Sequence, residues 1–256
     1  MATLYKEQAQ KARSKVMQML YESQMSHAGS NLSCIDILTV LFEKSDLKKD
    51  KILFSKGWAA ASAYYFLAQK GVIPEADLDT YCKPDSKLIG LVEPGVPGIH
   101  FAGGSMCMGI AAGIGFALAQ RLNKEDGRIF VLESDGAMDG GITWESALIA
   151  AHQKLGNLVV LLDANGLQAM GKNEDILNLE PLVDKWKSFN WDVTEINGHD
   201  YTQIEAALAG SHSKPHIIIA RTIKGKGVSF MENDNLYHYK KLSEDEYEKA
   251  QQELHG

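Results

Sequence analysis

The sequence predicts an α/β protein: a doubly wound, mostly parallel sheet with helices on both faces. Three observations predict it. Residues 128–132 read Arg-Ile-Phe-Val-Leu, a short β-branched and aromatic run. Residues 157–162 read Asn-Leu-Val-Val-Leu-Leu, the near-continuous apolar run of a strand buried on both faces. Between them Trp144, Ala147, Leu148, Ala151 and Leu155 recur at helical spacing, so 143–155 reads as a helix with Thr143 as its N-cap. The unit is β-α-β, and strand and helix patterns alternate on either side of it.

In chain order, 4–25 is a helix whose buried face carries Ala12, Val16, Met19 and Leu20. The chain turns at 26–30. Ser33 and Asp36 then form a capping box that opens a helix continued by Leu38, Leu41 and Phe42. A short strand at 51–54 leads into an Ala-rich helix, 59–69, which Gly71 terminates. Residues 85–104, broken by Pro94 and Pro97, read as a functional loop. A helix follows at 106–122, where Gly109, Ala112, Gly113 and Ala117 permit close packing. Beyond the central unit, 170–179 is a polar loop, 181–189 a helix with Pro at its first position, and 191–196 an alternating strand. Residues 201–209 are a helix ended by Gly210, 216–220 an apolar strand, 222–229 a basic glycine-rich loop and 242–254 a charged surface helix. No repeat or linker divides the chain, so residues 1–256 are expected to form one domain.

The composition narrows the function classes. With 45% hydrophobic and 23% charged residues the chain is an ordinary globular sequence. A net charge of −7 without a Lys/Arg stripe argues against a nucleic-acid surface. The three cysteines, Cys34, Cys82 and Cys107, are widely spaced in apolar contexts and read as free thiols. The first residues lack a signal-peptide core, and the longest apolar run, 109–119, is too short to span a bilayer. The expected location is the cytoplasm.

Ligands of open parallel sheets bind beyond the carboxyl ends of the strands. Asp135 and Asn165 follow two such ends, about one crossover apart, and project into one crevice. Gly136 beside them allows a charged group close to the backbone. A carboxylate and an amide oxygen suit Mg²⁺ or Ca²⁺, with a diphosphate completing the shell. Taken singly, Asp135-Gly136 and Asn165-Gly166 are also ordinary strand-ending turns. Taken together they resemble the thiamine-diphosphate motif, with Ser134 in place of its first glycine.

Four further stretches extend that resemblance to the transketolase family. Ser26-His27-Ala28-Gly29 is similar to its Gly-His-Pro-Gly turn, and Ser55-Lys56-Gly57 to the start of its Ser-Lys-Gly-His element. Pro97-Gly98-Ile99 with Gly103-Gly104-Ser105-Met106 resembles its Pro-Gly-Val and Thr-Gly-Ser-Leu segment. Lys224-Gly225-Lys226-Gly227, with Tyr237-His238 after it, resembles the loop that ends its cofactor domain. The resemblance implies the thiamine-diphosphate-binding fold, in its diphosphate half. It implies that Asp135, Asn165 and the Leu167 carbonyl hold the metal. Gly104, Ser105, Met106, Ser134, Gly136, Ala137, Asn165 and His238 would line the cofactor, with Lys224 as a phosphate contact. His27 and His238 would lie near the reacting carbons as catalytic groups.

The resemblance also implies a partner. The aminopyrimidine's glutamate lies on a second α/β domain in that family, so a separately encoded C-terminal transketolase-like chain is expected, two copies of each, with this chain inactive alone. Small-molecule donors (a ketose or keto acid) and aldehyde or ketone acceptors are the implied substrates. Three positions depart from the pattern: Trp58 replaces a cofactor-contacting histidine, Leu91 a sugar-contacting histidine, and Gly140 a glutamate that couples subunits, while Glu145 keeps a second such glutamate. A non-catalytic cofactor-binding or scaffold subunit is therefore the alternative. A nucleotide-binding domain is the weakest reading, because neither G-x-G-x-x-G after a strand nor G-x-x-x-x-G-K-[ST] occurs.

Overall fold

The computed structural model describes residues 2–255, so Met1 and Gly256 of the expected domain lie outside the described residues. In chain order the helices are α1 (Ala2–Glu22), α2 (Ala28–Ser33), α3 (Ile35–Lys44), α4 (Ala60–Gln69), α5 (Gly109–Asn123), α6 (Gly141–His152), α7 (Asn173–Ile176), α8 (Leu182–Ser188), α9 (Tyr201–Leu208) and α10 (Glu244–His255). The strands are β1 (Lys51–Phe54), β2 (Ile129–Ser134), β3 (Leu158–Ala164), β4 (Asp192–Asn197) and β5 (His216–Arg221). All pairings among them are parallel, in the order β1-β2-β3-β5-β4.

The pleat divides the core in two. Leu53, Val131, Val160 and Ile217 lie in register on one face, and Phe54, Leu132, Leu161 and Ile218 on the other. The first row packs with Ile110, Ala147 and Trp186 of α5, α6 and α8; the second packs with Val16, Leu38, Phe66, Ile204 and Leu254 of α1, α3, α4, α9 and α10. Helices on both faces explain why every residue of β3 is buried and its sequence apolar almost throughout. Strand β4, one of the two edges, is mostly half-buried or exposed, and its sequence alternates accordingly. In α5, a Cβ on Gly113 would approach Val131 to 2.8 Å, so the small residues do bring that helix onto the sheet.

Five local expectations need correction. Thr143 is not an N-cap: α6 starts after an extended Gly140, and the buried Thr143 hydroxyl donates to the Ala137 carbonyl at 2.6 Å, closing the preceding turn. Ser33 and Asp36 form no capping box, since Ser33 ends α2 and donates to Asp163 while Asp36 binds Arg13. Long-range charge outcompetes the local amide at both positions. The 26–30 turn contracts to a left-handed His27 (φ 72°, ψ 25°), after which α2 begins. Met106 precedes α5 rather than starting it, and α7 interrupts the polar loop after residue 170.

Candidate functional site

Strands β2 and β3 end side by side, Ser134 opposite Asp163, and the residues just beyond them build the site. Asp135 is 2% exposed. Its Oδ2 accepts the Gly166 N–H at 2.6 Å and the Asn173 amide at 2.8 Å. Burial, with the charge of Asp163 second, pushes the Asp135 carboxyl up to about 6. Asn165 Oδ1 accepts the Leu167 N–H at 3.1 Å, an Asx turn that Gly166 completes with φ 78°. Among the described residues no three His, Cys, Asp or Glu side chains cluster as a metal site. Asp135, Asn165 and Leu167, the three metal ligands expected from the sequence, line one pocket. A desolvated carboxylate beside an amide and a carbonyl fits a hard dication, whose charge would offset the burial of Asp135.

Beneath them lies an ion pair that sequence reasoning missed. Lys56 and Asp163, 7% and 0% exposed, bond directly, and Ser33 and Thr222 donate to the same carboxylate. Burial, the largest single influence on Asp163, opposes its charge, yet the Lys56 charge and the hydrogen bonds from Lys56, Ser33 and Thr222 together outweigh it and hold Asp163 below the usual carboxylate range. Asn173 and Glu133 were also missed. Glu133 is fully buried, pushed up to about 7 by burial, and its Oε2 has no partner among the described residues. The Ser-Lys-Gly and Asp-Ala-Asn-Gly stretches contain the two residues of the pair, but nothing local links one to the other; Asn173, in a polar loop, carried no signal.

Across the crevice, Lys224 is fully buried. Its Nζ faces the Leu167 carbonyl (3.4 Å), the Gln168 carbonyl (3.1 Å), Asn235 Oδ1 (3.0 Å) and His238 Nδ1 (2.9 Å). A phosphate contact at Lys224 would have to displace one of these. Burial, then the Lys56 charge, lowers Lys224 to about 8. Burial, then the Lys224 charge, lowers His27 to about 4 and His238 to about 3, so both imidazoles are neutral at pH 7. The His27 backbone N–H donates to the His238 carbonyl at 3.0 Å, and the rings meet edge to face at 4.7 Å. Trp58 stacks on His27 at 4.3 Å and 5°.

The 103–106 segment closes one side. A Cβ on Gly104 would lie 2.7 Å from Leu91 Cδ2, and one on Gly136 would lie 3.1 Å from Met106 Cε. Gly104 thus neighbours Leu91, and Gly136 neighbours Met106, which is 57% exposed at the rim with Ser105 exposed beside it. Ala137 is buried, Ser134 half-buried and Glu145 exposed. At Gly140 a Cβ would overlap Cys107 Sγ and come within 2.9 Å of Cys107 Cβ, so this chain has no room for the expected glutamate there.

A parallel α/β sheet with a carboxylate and an amide at adjacent strand ends, beside a buried lysine and two neutral histidines, defines a cofactor-binding protein of the doubly wound class. Residues 5–255 match the family described as transketolase, thiamine diphosphate binding domain, and the chain belongs to that family. It is 34% identical to one of the subunits of apulose-4-phosphate transketolase from Phocaeicola vulgatus, over 96% of this chain and 92% of that protein. It is 33% identical to the 6-deoxy-6-sulfo-D-fructose transketolase subunit SqwG of Clostridium sp. (strain MSTE9), over 96% and 94%. The crystal structure of transketolase from Campylobacter jejuni superposes with a TM-score of 0.93 at 31% identity, covering 99% of this chain and 43% of that one. The chain thus spans about two fifths of that transketolase, and its fold is the thiamine-diphosphate-binding one.

Proposed function

We propose that this chain is the N-terminal subunit of a thiamine-diphosphate- and Mg²⁺-dependent transketolase-like enzyme that moves a two-carbon ketol or acyl unit to an aldehyde or ketone acceptor. The observation that carries the proposal is the Asp135 carboxylate, desolvated and tied to Gly166 and Asn173 beside the Asn165 amide and Leu167 carbonyl. Asp135, Asn165 and Leu167 would hold the metal. Gly104, Ser105, Met106, Ser134, Gly136 and Ala137 would line the cofactor. When bound, thiamine diphosphate supplies the electron sink that lets a bond beside a ketone carbonyl break and re-form. The chain's own residues orient and protect. Because the Lys224 ammonium donates to His238 Nδ1, the proton of that neutral ring sits on Nε2, where it can donate to a substrate oxygen. Trp58 covers one face of His27 and keeps water from it.

Two relatives are named as subunits, which supports a second, separately encoded chain for the pyrimidine half. The proposed assembly has two copies of each chain and a cytoplasmic location. No helix of the described residues is long and apolar enough to cross a membrane. On α6, Trp144 is taken by core packing against Trp186 and Phe189. Leu122, Leu148 and Ile149, 80%, 58% and 51% exposed on α5 and α6, remain for a partner. The overlap at Gly140 favours the second reading, a cofactor-binding subunit without turnover. The test assays the chain with thiamine diphosphate and Mg²⁺ over a panel of donors, with and without the product of the neighbouring gene. Turnover only in the mixture supports the proposal; binding without turnover in the mixture selects the second reading; robust turnover by the single chain sinks the two-chain scheme.

A further inference from the structure

Behind the site, on the face of the sheet covered by α1, α3 and α9, lies a buried polar cluster that none of the chemistry above uses. Its hub is Asp36, 3% exposed. Arg13 grips the carboxylate with two parallel bonds, Nη1 to Oδ1 at 3.0 Å and Nη2 to Oδ2 at 2.6 Å. His199 Nδ1 lies 2.7 Å from Oδ2, and the Tyr201 hydroxyl donates to Oδ1 at 2.7 Å. Burial alone would raise the Asp36 carboxyl; the bond from His199 and the Arg13 charge outweigh it and hold it well below the usual range.

Two of these partners have a second hand, and both reach the same loop. The Asp36 carboxylate only accepts, so His199 carries its proton on Nδ1 and its bare Nε2 accepts the Ile223 N–H, at 2.8 Å. Arg13 Nε donates to the Lys226 carbonyl at 2.9 Å. The loop comes this close because Gly227 (φ 96°) has no side chain: a Cβ there would lie 2.7 Å from Arg13 Cδ. Ile223 and Lys226 bracket Lys224, whose ammonium faces the Leu167 and Gln168 carbonyls and His238. His199 is itself held immediately before α9, whose N-cap Asp200 accepts the N–H groups of Thr202 and Gln203.

We propose that Asp36 is a positioning residue for the cofactor site: through Arg13 and His199 it fixes Ile223 and Lys226, and so sets where Lys224 presents its ammonium to the 167–168 carbonyls and His238. Asp36 touches no ligand. It acts through rigid bonds, as the outer partners of metal-site residues do, whose loss typically weakens binding about 10- to 100-fold. The effect on cofactor affinity rests on the function proposed above; the effect on the loop does not.

The experiment compares His199→Phe, which keeps a ring but loses both bonds, with Tyr201→Phe, which loses a bond of equal length to Asp36 and none to the loop. Both full-length variants are measured by hydrogen exchange at amides 223–228 without ligand, and by titration of thiamine diphosphate in saturating Mg²⁺. The expected result is exchange about tenfold or more faster across 223–228 in His199→Phe only, and a dissociation constant about 10- to 100-fold weaker in that variant only. Arg13→Lys, which keeps the charge but loses the Nε bond, should loosen the loop from its Lys226 end in the same way. Unchanged exchange in His199→Phe, or equal changes in it and Tyr201→Phe, overturns the proposal. Faster exchange with undiminished affinity overturns its cofactor part. If the wild-type chain binds no thiamine diphosphate, the proposed function fails while the exchange comparison still decides the clamp.

Discussion

Asp135 accepts the backbone N–H of Gly166 at 2.6 Å, joining the turn after β2 to the turn after β3 through a carboxylate that burial holds partly protonated near pH 6. The bond fixes the spacing of the two turns. It also leaves a desolvated charge whose natural compensation is a cation.

Asp135→Ala should therefore abolish Mg²⁺-dependent retention of thiamine diphosphate while the fold survives. The variant orphans the Gly166 N–H and the Asn173 amide, at about 1–3 kcal/mol each, and relieves the burial of a charge, so the changes oppose one another. Calorimetry should show binding lost, and the urea midpoint should move little. Undiminished, magnesium-dependent binding in this variant would falsify the metal assignment.

How far the sequence disclosed this site depends on the range of each interaction. The β2-α6-β3 unit was legible because buried strands carry unbroken apolar runs and helices a 3.6-residue period, and both signals are local. Asp135 and Asn165 were legible because equivalent strand ends converge. Lys56 and Asp163 are 107 residues apart in sequence, and no local pattern announces their contact. Ser33 was misread for the same reason: its hydroxyl serves Asp163 across the sheet instead of the next helix. The order of β4 and β5 also escaped the sequence, although the alternation of β4 already marked a strand exposed on one side.

His216 should make stability fall with acid. It is 1% exposed, its Nδ1 has no partner among the described residues, and burial, then His212, lowers it from 6.5 to about 4. The unfolded chain takes the proton first as pH falls. The stabilising contribution is thus present above pH 6.5 and lost on the way down to about pH 4. From about pH 7 to about pH 5 the change is about 2 kcal/mol for one such group. His27 and His238 shift in the same direction and add to it. In His216→Gln, which can keep the Thr194 bond, the urea-midpoint difference between pH 7 and pH 5 should shrink. An unchanged difference would show that His216 does not contribute.

Gly140 and Cys107 should be coupled. The backbone at Gly140 is extended (φ −82°, ψ 132°) and admits any side chain, so what obstructs a Cβ there is Cys107. Cys107 is itself left-handed, with φ 71°, a strain of about 1–2 kcal/mol that glycine would relieve. Gly140→Glu by itself should destabilise by about 1–3 kcal/mol through overpacking. Adding Cys107→Gly should recover most of that loss, with a coupling energy of about 1–3 kcal/mol in a double-mutant cycle. Additive effects would mean that the two side chains do not compete for the same space.

Trp58 should decide which donors the assembled enzyme accepts. Its carbonyl accepts from the buried Asn31 amide at 3.0 Å, so the backbone is fixed and a substitution changes the side chain alone. The indole lies flat on His27 and reaches the loop beside Leu91, where a Cβ on Gly90 would be 3.7 Å from Trp58 Cζ3. With Trp58 44% exposed, the mouth of the site presents aromatic and apolar carbon where the family pattern has two imidazoles. A polyhydroxylated donor would leave hydroxyls unpaired against that surface, and sites that bond hydroxyls differ from sites that cannot by large factors in kcat/KM. Common ketose phosphates should be poor donors for the wild-type enzyme. Trp58→His, which restores a hydrogen-bonding ring and uncovers His27, should raise kcat/KM for a pentulose phosphate about tenfold or more. The measurement is the ratio of kcat/KM values for the pentulose phosphate in the two enzymes, each assembled with its partner chain. A ratio near one, with the wild type already as efficient as an ordinary transketolase, would show that the indole does not shape the pocket.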